Sequence, residues 1–392
     1  MPAILPPILS ATDLSSTSQI ASQLAACTVA ALVSLFATSL LARHGARLGL
    51  QDLPNARSSH QRPTPRGGGI AILAAFLVAL PLALPGGAAP AAPLAALLAA
   101  AVLLALVGLA DDRYGLGLAV RLAAQSLAML ALLLALAHVA IPGTPADSPL
   151  PVAVTGIPSL ARWLPPTWPA WAVTGMDIAF LPLLLLGGVW WVNLFNFMDG
   201  IDGLAASQAL FMLIAALLIK LLGSDVTTDA GQVLAGPAAA ASLVLAAAVA
   251  GFLGLNWAPA RIFLGDAGSL FLGFSIAAIA AHDVTRGDMS LWTWLILGNL
   301  FLVDATVTLL RRWVGGDSVT AAHRSHLYQR LGRRWGGHAK VSLVYCLLNV
   351  SWNFPLALSA HQEPDWAPVI LLLALLPPAV VAWRMGAGLR DG

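Results

Sequence analysis

Run after run of about twenty apolar residues, each almost free of charge, occupies most of this chain, and that is the length a helix needs to cross the hydrocarbon of a bilayer. Hydrophobic residues make up 59% and charged residues 10%, with a mean hydropathy of +0.83, which no water-soluble core absorbs. Backbone polar groups in lipid must be satisfied within the segment, so the expected fold is all-α and polytopic. About eleven spans are predicted, at roughly 20–42, 67–86, 92–110, 118–140, 178–195, 203–221, 232–255, 267–282, 288–310, 341–359 and 367–384. Residues 1–19 form a tail, 20–384 a single membrane domain, and 385–392 a second tail. An odd number of spans puts the two tails on opposite faces.

The basic residues orient the chain. With the 43–66 loop on one side and the connections alternating, all of the twenty Lys and Arg except Arg162, Lys220 and Arg286 fall on that side. By the positive-inside rule that side is cytoplasmic, so the N-terminus is outside and the C-terminus inside. A net charge of +2 gives no reason to expect a nucleic-acid partner. Cys27 and Cys346 lie within apolar runs and imply no disulfide framework. No Lys or Arg precedes Arg43, so the basic start of a cleaved signal peptide is missing and the first span is expected to persist. Residues 141–177, rich in Pro and Trp, read as an interfacial loop outside.

The polar islands collect on the cytoplasmic side, in the segments 43–66, 111–117, 196–202, 256–266 and 311–340. The fifth span closes on Asn196, Asp199 and Asp202, three residues apart and so on one face of a helix. Two carboxylates and an amide oxygen are hard ligands that suit Mg²⁺. Gly200 and Gly203 clear space beside them for an anionic ligand. Asp111 and Asp112 end the third span, and acids at that depth are functional by default. Neighbouring helix positions point about 100° apart, so the two are expected to act differently.

Asp266 opens the eighth span at a depth matching Asp199 and Asp202, which suggests a shared ion. Asn256 and Phe263, just before it, have the chemistry to hydrogen-bond and stack on a nucleobase. Arg121 and Gln125, one turn apart, are candidates for neutralising anions at the entrance of the fourth span. Arg57, His60, Arg62 and Arg66 form a cationic rim before Gly67, Gly68 and Gly69, and a helix start with arginines suits phosphate. In the long 311–340 loop, His323 and His326 alternate with Arg324 and Arg330, a set better fitted to a pyrophosphate than to a metal; a basic helix lying on the headgroups is the competing reading. Asp304 is an intramembrane acid with no partner evident in the sequence.

Five stretches in this order, DLPNARSSHQRPTPRGGGIAI, GLADDRYGL, VNLFNFMDGIDGLA, NWAPARIFLGDAGS and AHRSHLYQRL, resemble the polyprenyl-phosphate N-acetylhexosamine-1-phosphate transferases. The eleven-span topology with the N-terminus periplasmic looks like that family's too. The resemblance implies transfer of a sugar 1-phosphate from a UDP-N-acetyl amino sugar to undecaprenyl phosphate, with release of UMP. It implies Mg²⁺, with Mn²⁺ as a substitute, and a bacterial inner membrane with the site on the cytoplasmic face. By the same likeness Asp111 or Asp112 is the candidate base, Asp199 and His323 are catalytic, and Asp266, Asn196 and Asp202 are metal ligands. Asn256 and Phe263 fall where the family holds uracil, and Arg66, Arg121, Arg324 and His326 where substrate phosphates are engaged. The separated pair in HRSHLYQRL looks more like members that begin O-antigen or other surface polysaccharides than like the phospho-MurNAc-pentapeptide translocases, which carry adjacent histidines. A homodimer is left open, and the rival from another class is a transporter of an anionic substrate.

Overall fold

The computed structural model describes residues 11–52, 63–84, 92–137, 170–223, 230–318, 321 and 323–390. Arg57, His60 and Arg62 of the expected cationic rim, and most of the 141–177 loop, lie outside the described residues.

The chain is a bundle of helices: α1 (Ala11–His44), α2 (Gly68–Ala83), α3 (Ala92–Tyr114), α4 (Leu118–Ala137), α5 (Ala170–Met198), α6 (Leu204–Gly223), α7 (Ala230–Ala235), α8 (Pro237–Asn256), α9 (Gly265–Arg286), α10 (Leu291–Leu297), α11 (Asn299–Val314), α12 (Leu327–Trp335), α13 (His338–Leu348), α14 (Phe354–Gln362) and α15 (Ala367–Arg384). Among the described residues nine helices are long and apolar enough to cross a bilayer, and α10 with α11 qualify as one bent pair. The apolar helix α2 is shorter, at 16 residues. Each predicted run overlaps one of these helices. Two corrections concern boundaries. Helix α5 begins at Ala170, inside the stretch read as a loop, and the ninth span is broken by 77° between α10 and α11.

That break has an internal remedy. Bending at Gly298 frees the Leu297 carbonyl, which accepts from Gln208 Nε2 at 2.9 Å. Gln208 Oε1 accepts from Asn349 (2.7 Å), Asn349 Oδ1 from Asn353 (2.8 Å), and Asn353 Oδ1 from Asn299 (3.0 Å). A chain of amides thus satisfies polar groups that lipid cannot.

Helices α6 and α9 are the most enclosed spans, and α9 packs against α2, α3, α4, α5 and α8. Large apolar side chains such as Phe36, Leu130, Leu186 and Leu372 face outward instead, as a lipid environment permits. Close helix approach is made at small residues. A Cβ on Gly251 would strike the Ala31 carbonyl of α1, and one on Gly69 would strike Gly268 Cα of α9. The only strands among the described residues, Gln51–Asp52 and Thr64–Pro65, pair antiparallel and close the loop between α1 and α2.

Candidate active site

The start of α9 is the anchor of the site. Gly265 has φ +75°, the left-handed region that glycine adopts without strain. The backbone N–H groups of Asp266 and Ala267, which no helical carbonyl can take, donate to Asp112 Oδ1 and Oδ2 at 3.1 and 3.2 Å. A carboxylate from α3 therefore caps α9. The approach needs bare backbone: a Cβ on Gly108 would collide with Asp266, and one on Gly265 would press on the Asp112 carboxylate.

The neighbouring acid does something else, as the helical offset predicted. Asp111 Oδ2 takes Arg121 Nη1 at 2.8 Å, its Oδ1 accepts from Leu116 N–H at 2.6 Å, and its carboxyl also meets that of Asp266. The same Arg121 nitrogen is 4.0 Å from Asp266 Oδ2. From α5, Asn196 Nδ2 donates to Asp266 Oδ1 (2.7 Å) and to Ser269 Oγ (3.2 Å). Asp199 follows just past the end of α5, with the Gly265 N–H directed at it. Enclosure by protein, then the charges of Asp266 and Asp112, hold its carboxyl well above the usual carboxylate range. Arg66 adds positive charge beside Asp112 and Asp266 while it hydrogen-bonds Asp52. Asp111, Asp112, Asn196, Asp199 and Asp266 thus converge from three helices, flanked by Arg66 and Arg121.

Other predicted residues take different places. Asp202 has partners of its own: its Oδ2 accepts from Ala260 N–H at 3.0 Å and its Oδ1 lies 3.1 Å from His338 Nδ1, a residue no sequence motif had singled out. Asn256 is buried, and both ends of its amide are committed to backbone, accepting from Gly203 N–H (3.1 Å) and donating to Ile262 O (2.9 Å). It braces the turn that leads into α9. Phe263, half-buried, receives Gly68 N–H on its carbonyl at 3.0 Å, and Leu264 O takes Gly69 N–H at 3.0 Å. Gly68 and Gly69 therefore join the start of α2 to the segment that leads into α9. Gln125 is buried and pairs with Asn193, whose Nδ2 donates to Gln125 Oε1 at 2.7 Å, so it guards no entrance.

The histidine loop gains an anchor that sequence had missed. Asp304 Oδ1 accepts the Leu327 N–H at 2.8 Å and Oδ2 the Tyr328 N–H at 2.9 Å, which caps α12 from within α11. Tyr345 donates to Oδ2 (3.2 Å), and His326 Nδ1 lies 3.3 Å from Oδ1. Tyr328 OH reaches Phe197 O at 3.0 Å, beneath Gly200, where any Cβ would displace the hydroxyl. This fixes the loop to the end of α5, two residues from Asp199. The rings of Phe197, His326 and His323 stack, at 6.2 and 5.0 Å between centroids. Burial, then His326 and Arg312, press the His323 imidazole down to about 4, so it is neutral at pH 7. Arg324 is exposed, and its carbonyl accepts from Arg333. The C-terminal segment straps the loop from outside, through Gly388 N–H to Ser325 O (2.9 Å), Arg330 to Met385 O (3.1 Å) and an Arg390–Asp317 ion pair.

Fold and site together define a polytopic helical membrane protein with a carboxylate and arginine centre at one end of its bundle. The family model for glycosyl transferase family 4 matches residues 94–282. Over 373 residues the chain is 31% identical to the decaprenyl-phosphate N-acetylglucosaminephosphotransferase of Mycobacterium tuberculosis, covering 90% of this chain and 86% of that one. It is 27% identical over 350 residues to a probable undecaprenyl-phosphate N-acetylglucosaminyl 1-phosphate transferase of Bacillus subtilis, covering 89% and 87%. A phospho-N-acetylmuramoyl-pentapeptide-transferase of Synechococcus is 37% identical, but over 143 residues, 34% of this chain. The chain belongs to glycosyl transferase family 4, as its motifs suggested.

Proposed function

We propose that the protein transfers an N-acetylhexosamine 1-phosphate, N-acetylglucosamine 1-phosphate first among the candidates, from its UDP-sugar to a polyprenyl phosphate on the cytoplasmic face, opening the assembly of a surface polysaccharide. The observation that carries this reading is the gathering of Asp111, Asp112, Asn196, Asp199 and Asp266 beside Arg66 and Arg121 at one set of helix ends. Relatives that align along nearly the whole chain are N-acetylglucosamine phosphotransferases, whereas the pentapeptide-transferases align over about a third.

The donor set fits Mg²⁺, which is typically held by one or two carboxylates and completes its shell with substrate phosphates and water. Asp199 and Asp266 would hold it, with Asn196 Oδ1 free to join since the Nδ2 of that amide is directed at Asp266. When bound, the ion would neutralise the diphosphate and stabilise charge on the departing UMP. Asp202, tied to Ala260 and His338, is not in this set.

The protein's own groups do the rest. Arg121, oriented by Asp111, and Arg66, oriented by Asp52, would draw two anions together. A phosphate monoester with a second pKa of about 6 is largely dianionic at neutral pH, so its oxygen needs little help from a base. That oxygen forms a bond to the β-phosphorus, and the bond from this phosphorus to the bridging oxygen breaks, with UMP leaving. Neutral His323, with the His326 ring stacked on it, would offer hydrogen-bond groups to developing charge. Asp112 holds Asp266 in place. The test is UMP release by purified protein in detergent with undecaprenyl phosphate, Mg²⁺ and a panel of UDP-sugars. Release from one donor that ceases with EDTA supports the reading; silence with every donor overturns it.

A further inference from the structure

Helix α9 carries Asp266 in its first turn and Arg286 in its last. At 1.5 Å per residue the two stand about 30 Å apart, a bilayer's thickness. At the Arg286 end a cavity of about 640 Å³ opens, lined by Lys220, His282, Arg286, Asp288 and His361. Lys220 and Arg286 are two of the three basic residues that the charge distribution left on the outer face, and here they meet.

The cavity's polar groups retain unused capacity. Lys220 Nζ donates to both oxygens of buried Asp283 at 3.0 Å each, two of its three N–H groups. His282 Nδ1 is buried without a hydrogen-bond partner, 3.8 Å from Asp283 Oδ1. Arg286 is exposed. Pro237, Ala238 and His282 also line a second cavity of about 310 Å³, whose other walls include Phe76, Leu97, Phe274 and Ile279. Cationic donors stand on one side of His282 and an apolar chamber on the other.

We propose that this pair of cavities is a binding site for an amphiphile with an anionic phosphate headgroup, its head against Arg286, Lys220 and His282 and its chain in the chamber of Phe76 and Phe274. Arginine and lysine supply the charge-assisted donors that phosphate takes. The chamber supplies the apolar area that a free phosphate would leave empty. A metal ion fits less well. His282, Asp283 and Asp288 can bring ligand atoms within 4.8 Å of one another, but the Lys220 ammonium already covers both Asp283 oxygens. The site lies a membrane's width from the acids and owes nothing to the transferase reading.

Native mass spectrometry of the full chain in dodecyl maltoside, titrated with dioleoylphosphatidylglycerol or dioleoylphosphatidylcholine, tests it. One phosphatidylglycerol is expected to bind at least fivefold more tightly than phosphatidylcholine. Arg286→Gln, at an exposed position, should abolish that preference, and Ala278→Leu, at a further wall residue of the apolar chamber, should fill it and weaken both lipids about fivefold. UMP release should be unchanged in both variants. Equal binding of the two lipids, an unchanged preference in Arg286→Gln, equal competition by inorganic phosphate alone, or a stoichiometric Zn²⁺ adduct in place of lipid would each overturn the proposal. Binding is read directly, so it stands or falls apart from any failure to release UMP.

Discussion

Asp112 accepts the backbone N–H groups of Asp266 and Ala267, in the first turn of α9, from about 154 residues earlier in the chain. One acid of the site thus sets the position of another. Replacing Asp112 with Ala should cost about 1–2 kcal/mol of stability, the loss of a cap. It should also lower UMP release at least a hundredfold, because Asp266 moves. Asp112→Asn retains one acceptor and should be the milder variant in thermal melts. Equal melting temperatures for the two would remove the capping role.

Asp202 and Asp199 separate structure from metal binding. Asp199→Asn should raise the Mg²⁺ concentration for half-maximal UMP release more than tenfold. Asp202→Asn should leave that concentration within twofold and show its effect in the melting temperature, since its partners are Ala260 N–H and His338. A parallel shift in Mg²⁺ dependence for both would return Asp202 to the metal.

Asp304 holds the histidine loop without belonging to it. Asp304→Ala leaves the Leu327 and Tyr328 N–H groups and the Tyr345 hydroxyl without their acceptor, a burial cost of about 1–3 kcal/mol for each group. Amides of 323–331 should exchange faster by at least tenfold, while Mg²⁺ dependence stays unchanged. Unaltered exchange there would show that the loop has another anchor.

His323 gives a signed pH dependence. Its imidazole stays neutral in the fold until about pH 4, whereas an unfolded chain protonates it near the usual 6.5. Between these values only the unfolded state binds that proton, so stability present above 6.5 declines as pH falls towards 4. Melting curves from pH 7 to 4.5 should therefore fall less steeply for His323→Gln than for the parent protein. Identical slopes would place the histidine in solvent.

Gly69 admits no side chain. A Cβ there meets Gly268 Cα and the Ala267 carbonyl carbon, all backbone, so Gly69→Ala should destabilise by about 3 kcal/mol or more and prevent recovery of folded protein. Gly117→Ala, where a Cβ meets open space, is the matched control and should fold normally.

Apolar length was enough to read the helices, because it is a local property of the chain. The convergence of Asp111, Asp112, Asn196 and Asp266 was also approachable, since each stands at a helix end on the same face of the bundle. What escaped was direction. Nothing in the local sequence says that Asp202 turns to His338, or that Asn256 spans from Gly203 to Ile262, because those partners lie in other helices and turns. Gly68 and Gly69 look like an anion loop until α9 arrives to take their N–H groups through Phe263 and Leu264. The partner of Asp304 was illegible for the same reason: it is the backbone of a helix that begins 23 residues later.

The reach of Asp112 also bears on synthesis. When α3 enters the membrane, the N–H groups that its last acid will hold have not yet been translated. The site comes into being only when α9 docks beside α3 and α5, and the histidine loop follows later still. A nascent chain paused anywhere before residue 266 has Asp111, Asp112, Asn196 and Asp199 but not the helix start that gathers them.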